Sequence, residues 1–203
     1  MEQDISTTYK SNYTFGIVFT IVALLSVVVG IISLMLPSIQ CLGSIFNLLS
    51  AVLFFIWFYR SHKNLLAYNT QGLKYSAAWA VIAFFVPILN LFRPYQIGQE
   101  IWKASDPDAS TVGWKQSKIG IVVIFWWISM LVRLPLMIWI FVYSFSSSFQ
   151  AGLNGLQPDP NAILNTTSIP AVIVDAIYCI LAISMVVLVN DRQDEKADNL
   201  GIL

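Results

Sequence analysis

FGIVFTIVALLSVVVGIISLML, residues 15–36, runs for 22 positions without a charged side chain. As a helix rising 1.5 Å per residue it reaches about 33 Å, enough to cross a hydrocarbon layer ~30 Å thick. A surface helix of a soluble domain turns a charged face to water; this one has no such face. It reads as a transmembrane span, stopped by Pro37. Three further apolar runs, residues 41–60, 119–143 and 168–189, read the same way. Composition agrees: 57% of the chain is apolar and 11% charged, against roughly 25% charged in a soluble domain. The first fourteen residues are polar, and the run behind them is too long for the core of a cleavable signal. The first span is therefore expected to stay in the protein.

A fifth apolar stretch, Ala77 to Phe92, is different. Its 16 residues hold Pro87 near the middle and Asn90 after it. A straight helix of that length reaches about 24 Å, short of a full crossing. The placement of basic residues bears on its path, because short cytoplasmic loops are enriched in Lys and Arg. The connection between the first two spans has none, and neither has Ser144 to Thr167. Lys10, Arg60, Lys63, Lys74, Arg93, Lys103, Lys115, Lys118, Arg192 and Lys196 all lie elsewhere. With both charge-free loops outside, all ten lie inside, both termini are cytoplasmic, and residues 77–92 dip in and return. Five plain spans would put Arg93, Lys103, Lys115 and Lys118 outside. The expected fold is an all-α polytopic bundle, one membrane domain over residues 1–203. It has four transmembrane helices and a Pro-broken segment that is re-entrant or a short fifth span.

Polar residues gather around that segment. Trp57, Arg60 and Asn64 are spaced i, i+3, i+7, which sets them on one helical face. Trp79, Asn90, Arg93, Tyr95 and Glu100 follow, the last on a helix that Pro94 should open at its first turn. Together the eight are candidate ligand-binding residues, with an Arg60–Glu100 ion pair expected at the inner boundary. Aromatic and basic residues also serve as plain interfacial anchors. Discontinuous helices, however, expose unpaired backbone groups and often build binding sites. Arg133 and Asp175 form a second candidate. A charge inside a span costs about 2.5–3.5 kcal/mol on insertion scales, so each needs a partner, and similar depth on antiparallel helices predicts that they pair.

Other features carry less. His62 stands alone, without the second ligand a zinc site needs, and is expected to be a solvated boundary residue. Cys179 reads as a small buried hydrophobe, and it and Cys41 suggest no disulfide framework. Ser144–Ser148 reads as loop without a His or Asp partner for nucleophilic catalysis. The Asn165-Thr166-Thr167 sequon falls in a loop expected to face outward.

The run Phe55-Ile-Trp57-Phe-Tyr-Arg60 with Asn64, then Lys74-Tyr75-Ser76, Trp79-Ala80-Val81, Phe85-Val86-Pro87-Ile88-Leu89-Asn90-Leu91, Arg93-Pro94-Tyr95-Gln96, Glu100-Ile101-Trp102 and Ser105, resembles a bacterial membrane family. That family is known as domain of unknown function four-three-two-eight, and the resemblance covers about residues 54–106. It implies a multi-pass protein of the bacterial inner membrane, brings no activity with it, and supplies no catalytic residues.

Nucleic acid is excluded as a partner by the lack of any basic stripe. No catalytic group, metal set or cofactor motif stands out, so an enzyme is not expected. The remaining reading is a non-enzymatic module binding a lipid, small ligand or partner protein at its cytoplasmic-side cluster. Membrane lipids are its expected partners, and a protein partner or a homo-oligomer is possible. The alternative is a small transporter or channel using Arg133 and Asp175, although no inverted repeat is visible.

Overall fold

The computed structural model describes residues 8–155 and 169–202. They form seven α-helices: α1 Tyr13–Ser33, α2 Gln40–Ala67, α3 Ala77–Ile82, α4 Pro87–Asn90, α5 Arg93–Ala104, α6 Ile121–Leu153 and α7 Ile169–Asn199. A 3-10 turn over Pro37–Ile39 joins α1 to α2, and another over Gly113–Gln116 precedes α6. There is no strand among the described residues. Four helices, α1, α2, α6 and α7, are long and apolar enough to cross a membrane. The all-helical architecture and its four candidate spans are those expected from the sequence.

The four long helices alternate in direction. Helix α1 packs between α2 and α7, and α6 packs on α7. One end of the bundle therefore collects the start of α1, the end of α2, the start of α6 and the end of α7. Much of its outer surface is apolar and bare: Ile21, Leu24, Leu48, Phe125, Ile138 and Ile173 are all exposed. In water this would be an aggregation hazard; in hydrocarbon it is the required surface.

Three helices outrun their expected bounds. Helix α2 continues to Ala67, as the lack of a breaker before Asn69 suggests, and Asn69 then takes a left-handed φ of 55°. Helix α6 extends ten residues past Tyr143, so Ser144–Leu153 is helix and not loop. The serines are held there because a hydroxyl can satisfy itself on the preceding turn, as Ser146 does by donating to the Tyr143 carbonyl. Phe141, Phe145 and Phe149 stack at i, i+4 spacing along the same helix, with ring centres 6.3 and 6.4 Å apart. Helix α7 runs to Asn199 and takes in most of the charged tail. The Asn165–Thr167 sequon lies outside the described residues.

The Pro-broken segment is a hairpin. Helix α3 lies against α2, four non-helical residues follow, and Pro87 opens the single turn of α4 instead of kinking a continuous helix. Helix α5 then packs on α6 and α2, with Pro94 in its first turn as expected. The backbone groups freed at the break close on themselves: Phe84 N–H donates to the Val81 carbonyl and Phe85 N–H to that of Ile82. At the break Phe84 inserts among Phe54 and Phe58 of α2 and Trp126 of α6, its ring centre 5.8–6.4 Å from theirs. Such aromatic pairs add about 0.5–1.5 kcal/mol each beyond burial. Phe85, Ile88 and Leu91 point outward at the apex.

Candidate functional site

Six of the eight candidate residues fall into two groups, on opposite sides of α2, and Trp79 and Asn90 belong to neither. Trp57, Arg60 and Asn64 do share a face, and it is turned to α1 and α7. Trp57 Nε1 donates to Asn190 Oδ1 at 2.8 Å, and Arg60 Nε donates to Asn12 Oδ1 at 2.7 Å. The Arg60 guanidinium also lies 4.5 Å over the Phe15 ring. Asn64 Nδ2 donates to the Lys10 carbonyl and to Gln193 Oε1, both at 3.0 Å. Gln193 Nε2 passes the chain on to the Ser61 carbonyl at 2.9 Å and to Ser105 Oγ at 3.1 Å. Gly16 makes room for this: a Cβ there would stand 2.5 Å from Asn190 Nδ2. These buried polar groups are used up on one another. Trp57, Arg60 and Asn64 form a lock between the N-terminal segment, α2 and α7.

The expected Arg60–Glu100 ion pair is absent, because Arg60 faces away from α5. Glu100 meets His62 instead, Oε1 to Nε2 at 3.1 Å, with both side chains buried. His62 is accordingly not a solvated boundary residue: it is fully enclosed, one step round α2 from the lock. Glu100 also accepts Lys74 N–H on Oε2 at 2.8 Å and Tyr75 N–H on Oε1 at 3.3 Å. These two contacts fix the path of the hairpin. The residues just before α3 and a residue deep in α5 are latched together, so the segment ends where it began.

On the outer side of the latch an open pocket of about 430 Å³ is bounded by the strap before α3, by α5 and by the 3-10 turn before α6. Tyr75 hydroxyl donates to Gln96 Oε1 and receives Arg93 NH1 at 2.7 Å, so Arg93 braces one wall. Tyr95 reaches the rim and packs against Trp127 of α6, ring centres 5.1 Å apart and planes tilted by 38°. Lys103 Nζ donates to the Lys115 carbonyl at 3.3 Å, tying α5 to the turn. Trp79 and Asn90 are not at this pocket; Trp79 is exposed on α3, and Asn90 closes α4 with its Oδ1 buried and without a partner.

Below this end Lys196 does work that its position in a charged tail does not announce. Its ammonium, almost fully buried, donates to the carbonyls of Ala104 and of Asp106 and Ala109 at 2.9, 3.0 and 3.0 Å. A cation at the carbonyl end of a helix is favoured by the helix dipole as well as by those bonds. Arg192 adds an ion pair to Asp106 at 3.2 Å. Asn190, Gln193 and Lys196 were all missed in the sequence. The available signal was that nothing between Val189 and Gly201 breaks a helix.

Arg133 of α6 and Asp175 of α7 are paired, Nε to Oδ1. Asn47 of α2 joins them, its Oδ1 3.4 Å from Arg133 NH2, and the guanidinium lies 4.8 Å over the Tyr178 ring. The cavity beside Asp175 measures only about 20 Å³. Cys179 is buried nearby on the same helix.

Against known proteins, the family model described as Domain of unknown function (DUF4328) matches residues 20–193. The chain belongs to this family. The match extends the resemblance from residues 54–106 to all four long helices, so the outer helices belong to the family pattern together with the hairpin. Comparison with curated proteins and with solved structures gives no match. No group of three His, Cys, Asp or Glu residues among the described residues is placed to hold a metal.

Proposed function

We propose that the protein is a non-enzymatic membrane module that binds a small ligand or a lipid in the pocket beside the Glu100 latch. The observation that carries this reading is the pocket itself. Its volume falls within the range of small-molecule sites. It is walled by the strap and the helix that the broken segment brings together, and its inner wall is held by the buried hydrogen bonds of Glu100, so it is preorganised. The residues around it offer no nucleophile–base pair and no metal set, which favours binding over catalysis. All the basic residues except Arg133 gather at this end or in its loops, and that asymmetry supports a cytoplasmic face for the pocket and both termini. A bacterial inner membrane is the setting we propose, with membrane lipids as neighbours and a partner protein or second copy as further contacts. The transporter alternative has weaker support: Arg133 and Asp175 satisfy each other beside a cavity hardly larger than one water molecule.

The test is to fill the pocket. Wild type and Ile119→Trp, which places an indole at the rim, are purified in mild detergent. The molecules released on denaturation are then compared by mass spectrometry. A species held in stoichiometric amount by wild type should be missing from the variant, with helicity and thermal midpoint unchanged. Identical release from both proteins would sink the reading.

A further inference from the structure

We infer that the pocket takes a phosphate-bearing headgroup, that of an anionic lipid of the surrounding leaflet; this rests on the binding reading above. The argument starts from what the pocket has left to offer. Lys74, Lys103 and Lys115 stand on its three sides. Among the described residues none of the three is in an ion pair. The Lys74 and Lys115 ammoniums lie 5.5 Å over the rings of Tyr75 and Trp114, and Lys115 Nζ is held beside Gly72. The one acid on the lining is Glu100, and its oxygens are already taken by His62 and two backbone N–H groups. Gln96 Oε1 is likewise taken by Tyr75, which leaves its amide N–H₂ as a donor. The groups left to a ligand are thus nearly all donors, three of them cationic, of which Lys103 already spends one N–H on the Lys115 carbonyl. Lysine serves such sites as a point charge for phosphate.

The rim indicates where the phosphate comes from. Ile119 lines the pocket and is exposed, and Ile121 and Phe125, exposed in their turn, continue an apolar strip down the start of α6. An amphiphile would set its headgroup among the lysines and lay its chain along that strip. A soluble phosphate compound would use only the first half of this arrangement.

The full chain in dodecyl maltoside is titrated by native mass spectrometry with dioleoyl phosphatidic acid or dioleoyl phosphatidylcholine, with glycerol 3-phosphate as competitor. Wild type should hold phosphatidic acid in preference to phosphatidylcholine. With each lysine contributing about fivefold near an anionic headgroup, Lys74→Gln/Lys103→Gln/Lys115→Gln should weaken phosphatidic acid about 100-fold and leave phosphatidylcholine unchanged. The matching triple substitution to Arg should restore binding, which separates charge from misfolding. Equal retention of phosphatidic acid by wild type and the Gln variant overturns the inference, while the binding reading stands if Ile119→Trp still displaces the lipid. Displacement of phosphatidic acid by an equal concentration of glycerol 3-phosphate overturns the lipid source. Lipid retention unaltered by either the Gln variant or Ile119→Trp overturns both.

Discussion

Substituting Asp175→Val strands the Arg133 guanidinium in an apolar shell, with only the 3.4 Å contact to Asn47 and the Tyr178 ring left to it. The converse change, Arg133→Met, strands a carboxylate. Breaking one side of such a pair costs about 3–5 kcal/mol, because the remaining charge is left desolvated, while replacing both members by apolar groups is often close to neutral. Each single variant should therefore lower the thermal midpoint by about 6–20 °C, taking roughly 2–4 °C per kcal/mol for a chain of this size. The double variant should recover most of that loss, a coupling of about 5 kcal/mol or more. Ordinary polar contacts between membrane helices couple by only about 0.6 kcal/mol, so the two cases are well separated. Circular dichroism melts of the four proteins in one detergent provide the measurement. Losses that add to within about 0.5 kcal/mol would show that the two residues do not act as a pair.

Lys196→Met keeps the stem and removes the ammonium from three carbonyls; a loss of about 3 kcal/mol is expected, with faster proteolysis between Ser105 and Ser110, read on a gel. Phe84→Ala withdraws the plug from the aromatic cluster and should cost about 3–5 kcal/mol, with amide exchange rising first over Ala77–Asn90. Glu100→Ala should release the amides of Lys74 and Tyr75 to exchange while leaving those of α1 and α7 protected. Burial, first, and Asp194 beside it push the Tyr9 phenol above the ordinary tyrosine range, and burial does the same for Tyr68. A folded-state value raised above the unfolded 10.0 stabilises fully below about pH 10 and is lost as pH climbs past it, so alkaline unfolding should begin later in Tyr9→Phe. Cysteines placed at Ser110 and Asn154, in a Cys41→Ser/Cys179→Ser background, should label from opposite sides of the membrane with an impermeant thiol reagent.

What could be read from the sequence was what one segment decides by itself. An apolar run without charges has only one comfortable solvent, and a lone Arg and a lone Asp inside two such runs have only each other, so the spans and the Arg133–Asp175 pair followed. Pro87 within a stretch too short to cross marked a break there, but left a return and a short fifth span both open. What could not be read depended on how distant segments meet. Arg60 and Glu100 share a depth, but a rotation of about 100° per residue around α2 decides that His62 and not Arg60 faces α5. Whether a tail rich in Asp, Arg and Lys is solvated or docked depends on carbonyls 90 residues away, those that receive Lys196. The serine run after Tyr143 misled for a local reason: composition favoured a loop, while the Phe spacing of four favoured the helix that forms.

The break in the hairpin and the pocket are one structural fact. As a single straight helix, residues 77–92 would carry Arg93 and all of α5 about 24 Å from Lys74. Glu100 would then have neither the Lys74 and Tyr75 amides nor His62, a buried carboxylate with no partner. The turn at Ala83–Val86 removes that problem at little expense in hydrogen bonds, because Ala83 N–H finds the Trp79 carbonyl, those of Phe84 and Phe85 find carbonyls three residues back, and Phe84 fills the space between α2 and α6. It also brings α5, with Gln96 and Lys103, against the strap that carries Lys74 and against the turn that carries Lys115. Three lysines from three separate segments then surround one opening, an arrangement that mutual repulsion disfavours unless something anionic enters between them. The latch uses the Lys74 backbone N–H and none of the lysine ammoniums. Stability and binding should therefore respond differently: changes at Glu100 or Phe84 should act first on the fold, and changes at the lysines first on affinity.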